Sequence, residues 1–414
     1  MNNKLKKFFL IIFLLMIFLF CNIYFLNVYA SDEPSVSAGA AILMDNRTNK
    51  VLFSKNATGR MYPASTTKIL TAILAIENGN LNDVVTASHD AVTSIPEGYS
   101  VADIQVGEQL TVEQLIEVLL VHSANDAANV LAEYVGGSID SFVSMMNTKL
   151  NELGLDDSHF TNAYGLHEEN HYTTATDLAK LMQYCIKNDD FRKYAGMASC
   201  AIPATNMHDS RLYTSTNFLV IPESEYYAPY ITVGKTGFTS QAGDCLVTVG
   251  YNNDLELICI VLGCPTSRDR FNDIKSIYNY GYENFSLKDI VNENDVVTQV
   301  EVKNATKDTK QLDVLSSETI PALVNNTEDI ENIEPSISLN SEISAPIMQG
   351  DRLGTVTYTV NGVEYTTDLI ASHDVEALNI PIYLIIVFGI FVILFIIYMI
   401  FYHVPKKYRI KRLK

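Results

Sequence analysis

With 414 residues, 48% of them hydrophobic, the chain is long enough for a large core and two folded domains. Its formal charge is −19, and setting aside three N-terminal and six C-terminal cations leaves the remainder at −28. Nucleic acid and anionic headgroups are therefore poor partners for the folded part, while the acidity says nothing about catalysis.

The chain opens with Lys4, Lys6 and Lys7, an apolar run from Phe8 to about Leu26, and Val28-Tyr29-Ala30 before Ser31. This is the pattern of a signal peptide over residues 1–30, with an uncleaved anchor as the alternative. Bulky Phe20 before Cys21 argues against a lipid-attachment site. The five cysteines beyond Cys21 are odd in number and lack C-x-x-C spacing, which argues against a disulfide framework and a zinc site. Cys245 and Cys259 lie on apolar runs able to pair as a hairpin through Asn252-Asn253. One bridge stays open there, and buried free thiols are the expectation.

From Ala38 to Phe53 the pattern is strand, turn, strand. Next comes Met61-Tyr62-Pro63-Ala64-Ser65-Thr66-Thr67-Lys68, continued by the apolar Ile69 to Ile76. Pro63 favours an extended or turn residue before it, and the Ser/Thr cluster can open a helix. Ser65 and Lys68 then share one face of the first turn, hydroxyl beside amine, at a helix end suited to a developing oxyanion. Taken alone, Ser-x-x-Lys is a weak signal and reads first as a cap serine with a solvated lysine.

Thr111 with Gln114 makes a capping box for a helix through Leu115, Val118, Leu119 and Val121. A second helix runs from Asp126 to Tyr134 and ends at Gly136-Gly137, so Ser123 and Asn125 fall in a stiff connector and face outward. A helix from about Ile139 to Leu153 leads into a loop-rich passage, and Thr174 with Asp177 starts another to about Ile186. Strands are expected over Ile231 to Phe238, Cys245 to Gly250 and Leu255 to Leu262, closed by a helix from Arg270 to about Tyr282. His159, His167 and His171 share one loop without carboxylates at fixed spacing, which reads as loop histidines more than a metal site. Glu168-Glu169 reads as solvated.

After Phe285 alternation appears in Val296 to Val302 and Leu353 to Val360, turning at Asn361-Gly362 into Val363 to Thr366. These strands belong to a small β domain over 286–375. An apolar span over 379–402 is long enough to cross a bilayer. The basic tail 403–414 then lies in the cytoplasm by the positive-inside rule, with everything before the span outside.

Three elements stand in order: Ser65-x-x-Lys68, Ser123-x-Asn125 and Lys235-Thr236-Gly237. This is the trio of penicillin-binding proteins and class A β-lactamases. Ser54, Ser215 and Ser338 also begin Ser-x-Asn, so Ser123 is chosen by order and by its place between two helices. Together with His159-Phe160-x-Asn162, Gly165-Leu166, His171-Tyr172-Thr173-Thr174-Ala175 and Phe238-Thr239, the trio resembles the low-molecular-mass penicillin-binding proteins. These are the D-alanyl-D-alanine carboxypeptidases of serine peptidase family S11.

That resemblance implies an α+β fold over 31–285, a β-lactamase/DD-peptidase-like antiparallel sheet with helices. It also implies removal of the terminal D-alanine from peptidoglycan stem peptides through an acyl-enzyme on Ser65, without cofactor or metal, and covalent capture of β-lactams. Lys68 is the implied base and Ser123 the proton relay. Asn125, Lys235, Thr236 and Gly237 bind substrate, and the N–H groups of Ser65 and Phe238 form the oxyanion hole. Arg270 supports the carboxylate site, with Arg268 the competing candidate. The chain departs from familiar members in ending on a full apolar span instead of an amphipathic helix, which changes only the tether. A β-lactamase, a cross-linking transpeptidase, a penicillin sensor and a wall-binding protein with a dead site are the rival readings. The β-lactamase reading finds its nearest water-holding loop in Glu152 to Asp156, at a helix end.

Overall fold

The computed structural model describes residues 33–327, 330, 333–378 and 382–403, so the signal-peptide expectation and nearly all of the basic tail lie outside the described residues. Among the described residues two compact units are present: 33–287 with 323–327, and 288–322 with the described residues from 330 onward.

The first unit is organised by five antiparallel strands: β1 (Ala40–Asp45), β2 (Val51–Lys55), β3 (Ile231–Thr239), β4 (Gly243–Asn252) and β5 (Leu255–Cys264), in spatial order β2-β1-β5-β4-β3. Strand side chains alternate between faces, and here both faces are covered. Ile42, Val247 and Ile260 point into one core, and Leu43, Leu246 and Val261 into the other.

The first core is filled by helices α1 (Lys68–Asn78), α2 (Val112–Val121), α3 (Asn125–Gly136), α4 (Ile139–Glu152), α5 (Ala175–Cys185) and α6 (Asp189–Ala195). On the opposite face lies α7 (Ser267–Asn284), which starts three residues before the expected Arg270 because Thr266 caps it, accepting from the Asp269 N–H. The caps read from sequence form: Thr111 and Gln114 make the reciprocal capping box, and Thr174 accepts from the Asp177 N–H. Gly137 ends α3 with φ of 74°, a left-handed value that glycine adopts without strain.

All five described cysteines are buried and free. Cys245 faces the first core and Cys259 the second; register pairs Thr248, not Cys245, with Cys259. The hairpin forms, but its geometry leaves no bridge between these two thiols.

In the second unit, strands Val296–Glu301, Gln311–Ser316, Val363–Ala371, Arg352–Val360 and Ser336–Leu339 form one antiparallel sheet in that spatial order. Asn361 (φ 52°) and Gly362 (φ 79°) make its tight hairpin turn. The core is small: Leu312, Val314, Val356 and Leu369 lie at its centre. The chain continues into a helix, Ile382–His403, whose segment Tyr383–Tyr402 has mean hydropathy 3.3 and is long and apolar enough to cross a membrane.

Candidate active site

The Ser65 segment is pinned by a backbone bridge in which Met61 and Thr173 exchange N–H to O bonds of 2.7 and 2.9 Å. Ala64–Thr67 then form one turn of 3-10 helix running straight into α1. A 3-10 turn stacks residue i over i+3, so the Lys68 side chain meets Ser65, and its Nζ donates to Ser65 Oγ at 2.8 Å. The neighbouring hydroxyls are spent on the backbone: Thr66 donates to Pro63 O and Thr67 to Ala64 O. Ser65 alone of the three lines the adjoining cleft.

Lys68 is fully buried, and its second bond, 2.8 Å, goes to the Tyr164 carbonyl. Asn162 builds the turn that offers this carbonyl, its Oδ1 accepting from the N–H groups of Tyr164, Gly165 and Leu166. Gly165 sits at φ of 89°, and a Cβ there would lie 1.9 Å from Ala64 O, so only glycine lets the turn back the nucleophile. Burial first, then the charge of Lys235, hold the Lys68 pKa well below lysine's ordinary value, with Asp126 opposing. Both leading causes favour the neutral amine that a base must be.

Ser123 occupies the connector between α2 and α3 in left-handed backbone, φ 66°, an unusual conformation for a non-glycine residue. It is only 7% exposed, and Asn125 is the first residue of α3 and 3% exposed, so both turn into the cleft and not outward to solvent. Asn125 Oδ1 is buried without a protein partner. The next residue, Asp126, accepts from the N–H groups of Ala102, Ile104 and Ala127, while Asn125 N–H donates to Ser100 O. These bonds fix the Tyr99-Ser100 wall of the cleft.

Strand β3 supplies the opposite side. Lys235, 1% exposed, donates to Ser123 Oγ at 2.9 Å and to Thr236 O at 2.8 Å. Burial, and then Arg270, lower its pKa to about 7. A Cβ on Gly237 would lie 3.0 Å from both Pro63 O and Ser65 N, so glycine brings the strand edge against the nucleophile turn. Phe238 lines the cleft and is 62% exposed. Arg270 Nη1 donates to Asp244 Oδ1 at 2.6 Å and reaches Gly237 O at 3.5 Å. Arg268 is exposed and outside the cleft lining, whereas Arg270 lines the cleft.

The cleft, about 470 Å³, thus gathers Ser65, Ser123, Asn125, Thr236, Gly237, Phe238 and Arg270, with Lys68 and Lys235 behind the two serines. Sequence reasoning missed Thr216, whose Oγ1 lies 2.5 Å from Thr236 Oγ1; it sits inside Ser215-Thr216-Asn217, set aside as a chance Ser-x-Asn. The Tyr164 carbonyl was missed too, since a main-chain acceptor has no signature in residue types. Among the described residues no Asp or Glu lines the cleft, and no group of three His, Cys, Asp or Glu is arranged to hold a metal. Glu152, from the loop proposed for a β-lactamase water, instead pairs with Lys149 at 3.5 Å.

A serine with a lysine at its hydroxyl, a second Ser/Lys pair and a Lys-Thr-Gly strand around one cleft define the class of the penicillin-binding proteins and class A β-lactamases. Residues 27–266 match the family D-alanyl-D-alanine carboxypeptidase, Peptidase S11, and residues 285–377 match the penicillin-binding protein 5 C-terminal domain. The chain belongs to the D-alanyl-D-alanine carboxypeptidase family, Peptidase S11. It is 31% identical over 349 residues to the D-alanyl-D-alanine carboxypeptidase DacF of Bacillus subtilis, covering 83% of this chain and 87% of that one. With DacC of Escherichia coli the identity is 32% over 345 residues, covering 80% and 82%. Among solved structures, penicillin-binding protein 5 of Haemophilus influenzae superposes with TM-score 0.64 at 26% identity, covering 83% of this chain and 98% of its own. The Streptomyces K15 DD-transpeptidase superposes with TM-score 0.57 at 30% identity, covering 60% and 98%.

Proposed function

We propose that the protein removes the terminal D-alanine from peptidoglycan pentapeptide stems, with Ser65 as nucleophile and Lys68 as general base. The observation that carries this reading is the pair of buried lysines, each with its Nζ within 2.9 Å of a serine hydroxyl in one cleft. Ser65 Oγ attacks the penultimate D-Ala carbonyl while its proton passes to Lys68 Nζ. Charge collects on the carbonyl oxygen, where the N–H groups of Ser65 and Phe238 stabilise it, worth about 3 kcal/mol per donor. Lys68 returns the proton through Ser123 to the departing D-alanine nitrogen, leaving the acyl group on Ser65. Water then attacks the ester and gives its proton to Lys68, which passes it to Ser65 Oγ as the ester bond breaks and the shortened stem leaves.

Lys235, the Thr216–Thr236 hydroxyl pair and Arg270 bind the free terminal carboxylate, which accounts for a cationic pocket in an acidic protein. The buried unpaired Asn125 Oδ1 receives a substrate amide N–H. A β-lactam enters the same cleft and leaves a long-lived ester on Ser65.

The tether is proposed with the chemistry: a signal peptide over 1–30, a peptidase domain over 31–285, a β domain over 286–375, one span over 379–402 and a cytoplasmic tail over 403–414. On this reading the catalytic domain faces the wall. Protease added to intact cells digests the β domain and spares the tail if this orientation is right.

The decisive assay incubates the purified full chain in detergent with pentapeptide stem and follows D-alanine, beside Ser65→Ala. Release by the wild type alone is expected; no release, or equal release from both, rejects the reading. Mass spectrometry after penicillin treatment is expected to find the adduct on the Ser65 peptide, and an adduct elsewhere rejects the assignment.

A further inference from the structure

His171 is 1% exposed, lies behind the nucleophile turn and has no step in the mechanism above. Its surroundings determine where its proton sits. The Thr161 N–H donates to Nδ1 at 3.1 Å, so the ring proton is on Nε2. Nε2 lies 2.8 Å from Thr67 Oγ1, which accepts; the single Thr67 proton then goes to Ala64 O at 2.9 Å. The three bonds form one directed chain, from the Thr161 N–H through His171 and Thr67 to the Ala64 carbonyl. Phe160 stacks on the imidazole at 4.9 Å and 10°, fixing its plane. Burial, with smaller contributions from His159, His167 and Lys68, takes the His171 pKa down to about 3, so the ring stays neutral in the working range of a wall enzyme.

The end of that chain is chemically significant. Ala64 is held in left-handed backbone at φ of 47°, where alanine is strained. Its C=O and the N–H of Ser65 belong to one planar trans peptide and point in opposite directions. Fixing the oxygen on the Thr67 side therefore fixes the Ser65 N–H toward the β3 edge, where Gly237 lies against it. We propose that His171 is a positioning residue that, through Thr67, holds the Ala64–Ser65 peptide so that its N–H serves the oxyanion. The inference rests on the reading of Ser65 as nucleophile and deepens it: the oxyanion donor is aimed from behind by a neutral histidine.

The test uses the full chain in detergent with benzylpenicillin, resolving acylation into a binding constant and a rate constant. Thr67→Val keeps the shape and removes the hydroxyl; its acylation rate constant is expected to fall about 10- to 100-fold, less than the loss of a whole oxyanion donor, with binding unchanged. Thr67→Ser restores the hydroxyl and is expected within about threefold of wild type. His171→Asn added to Thr67→Val is expected to cost little more, because both break one chain. A wild-type rate in Thr67→Val, or a loss confined to binding, overturns the relay alone. Failure of the wild type to acylate at Ser65 overturns the relay together with the nucleophile assignment.

Discussion

The Lys235 ammonium donates to the Ser123 hydroxyl across 2.9 Å, tying strand β3 to a helix connector 112 residues earlier in the chain. Both groups are nearly sealed from water, and burial lowers the lysine pKa to about 7, with Arg270 adding to the shift. Lys235 is therefore cationic below about pH 7 and increasingly neutral above it. A ligand held by its carboxylate loses this partner as pH rises, so the KM for pentapeptide is expected to climb above neutrality. Lys235→Arg keeps its charge throughout, and its KM is expected to stay flat from pH 6 to 9. An equally flat wild-type profile would count against a carboxylate contact by Lys235.

Gly165 and Gly154 both have positive φ, 89° and 65°, yet they meet different neighbours. A methyl on Gly165 would collide with the Ala64 carbonyl at 1.9 Å, and backbone has no room to yield there. On Gly154 it would meet nothing within 4 Å. Gly165→Ala is expected to cost more than about 3 kcal/mol in denaturant unfolding, and Gly154→Ala about 1 kcal/mol from left-handed strain alone. Similar losses in both would show that φ, and not the collision, dominates.

Local signals make much of this architecture readable in the sequence itself. The Thr111/Gln114 box, the Asn361-Gly362 turn and the Ser65/Lys68 spacing each depend on residues within four positions, where backbone geometry maps directly onto sequence. The nucleophile helix differs in detail, because Ser65 sits on a 3-10 turn and not within α1. What stayed hidden is non-local. The Thr216–Thr236 contact joins a loop to strand β3 through a motif that occurs by chance elsewhere. The Asp126 bonds go to main-chain N–H groups of residues 102 and 104, whose identities carry no trace of them. The Cys245 and Cys259 runs pair as read, but a register shift between Asp244 and Leu246 and the alternation of faces separate the thiols.

Asp126 anchors the Tyr99-Ser100 wall by accepting from Ala102, Ile104 and Ala127 N–H groups. Removing the acceptor leaves these buried donors unpaired, at about 1–3 kcal/mol each before relaxation or water entry. Asp126→Ala is expected to speed hydrogen exchange at the Ala102 and Ile104 amides by at least tenfold. Exchange in the second unit is expected to be unchanged. Protection retained at both amides would mean that other contacts hold the wall.

Arg270 and Asp244 form a buried ion pair, N to O 2.6 Å, with side-chain exposures of 11% and 8%. Removing one partner strands the other charge, so Arg270→Leu is expected to cost about 3 kcal/mol or more. The double variant Arg270→Leu/Asp244→Leu removes both charges and is expected to recover most of that loss. Activity separates the two roles of the arginine. If Arg270 also serves the substrate carboxylate, the double variant remains stable while its preference for a free-acid peptide over the C-terminal amide falls at least tenfold. The same change removes the arginine charge that helps depress Lys235, so the alkaline rise in KM shifts to higher pH. A double variant with wild-type selectivity and an unmoved pH profile would reduce Arg270 to a structural ion pair.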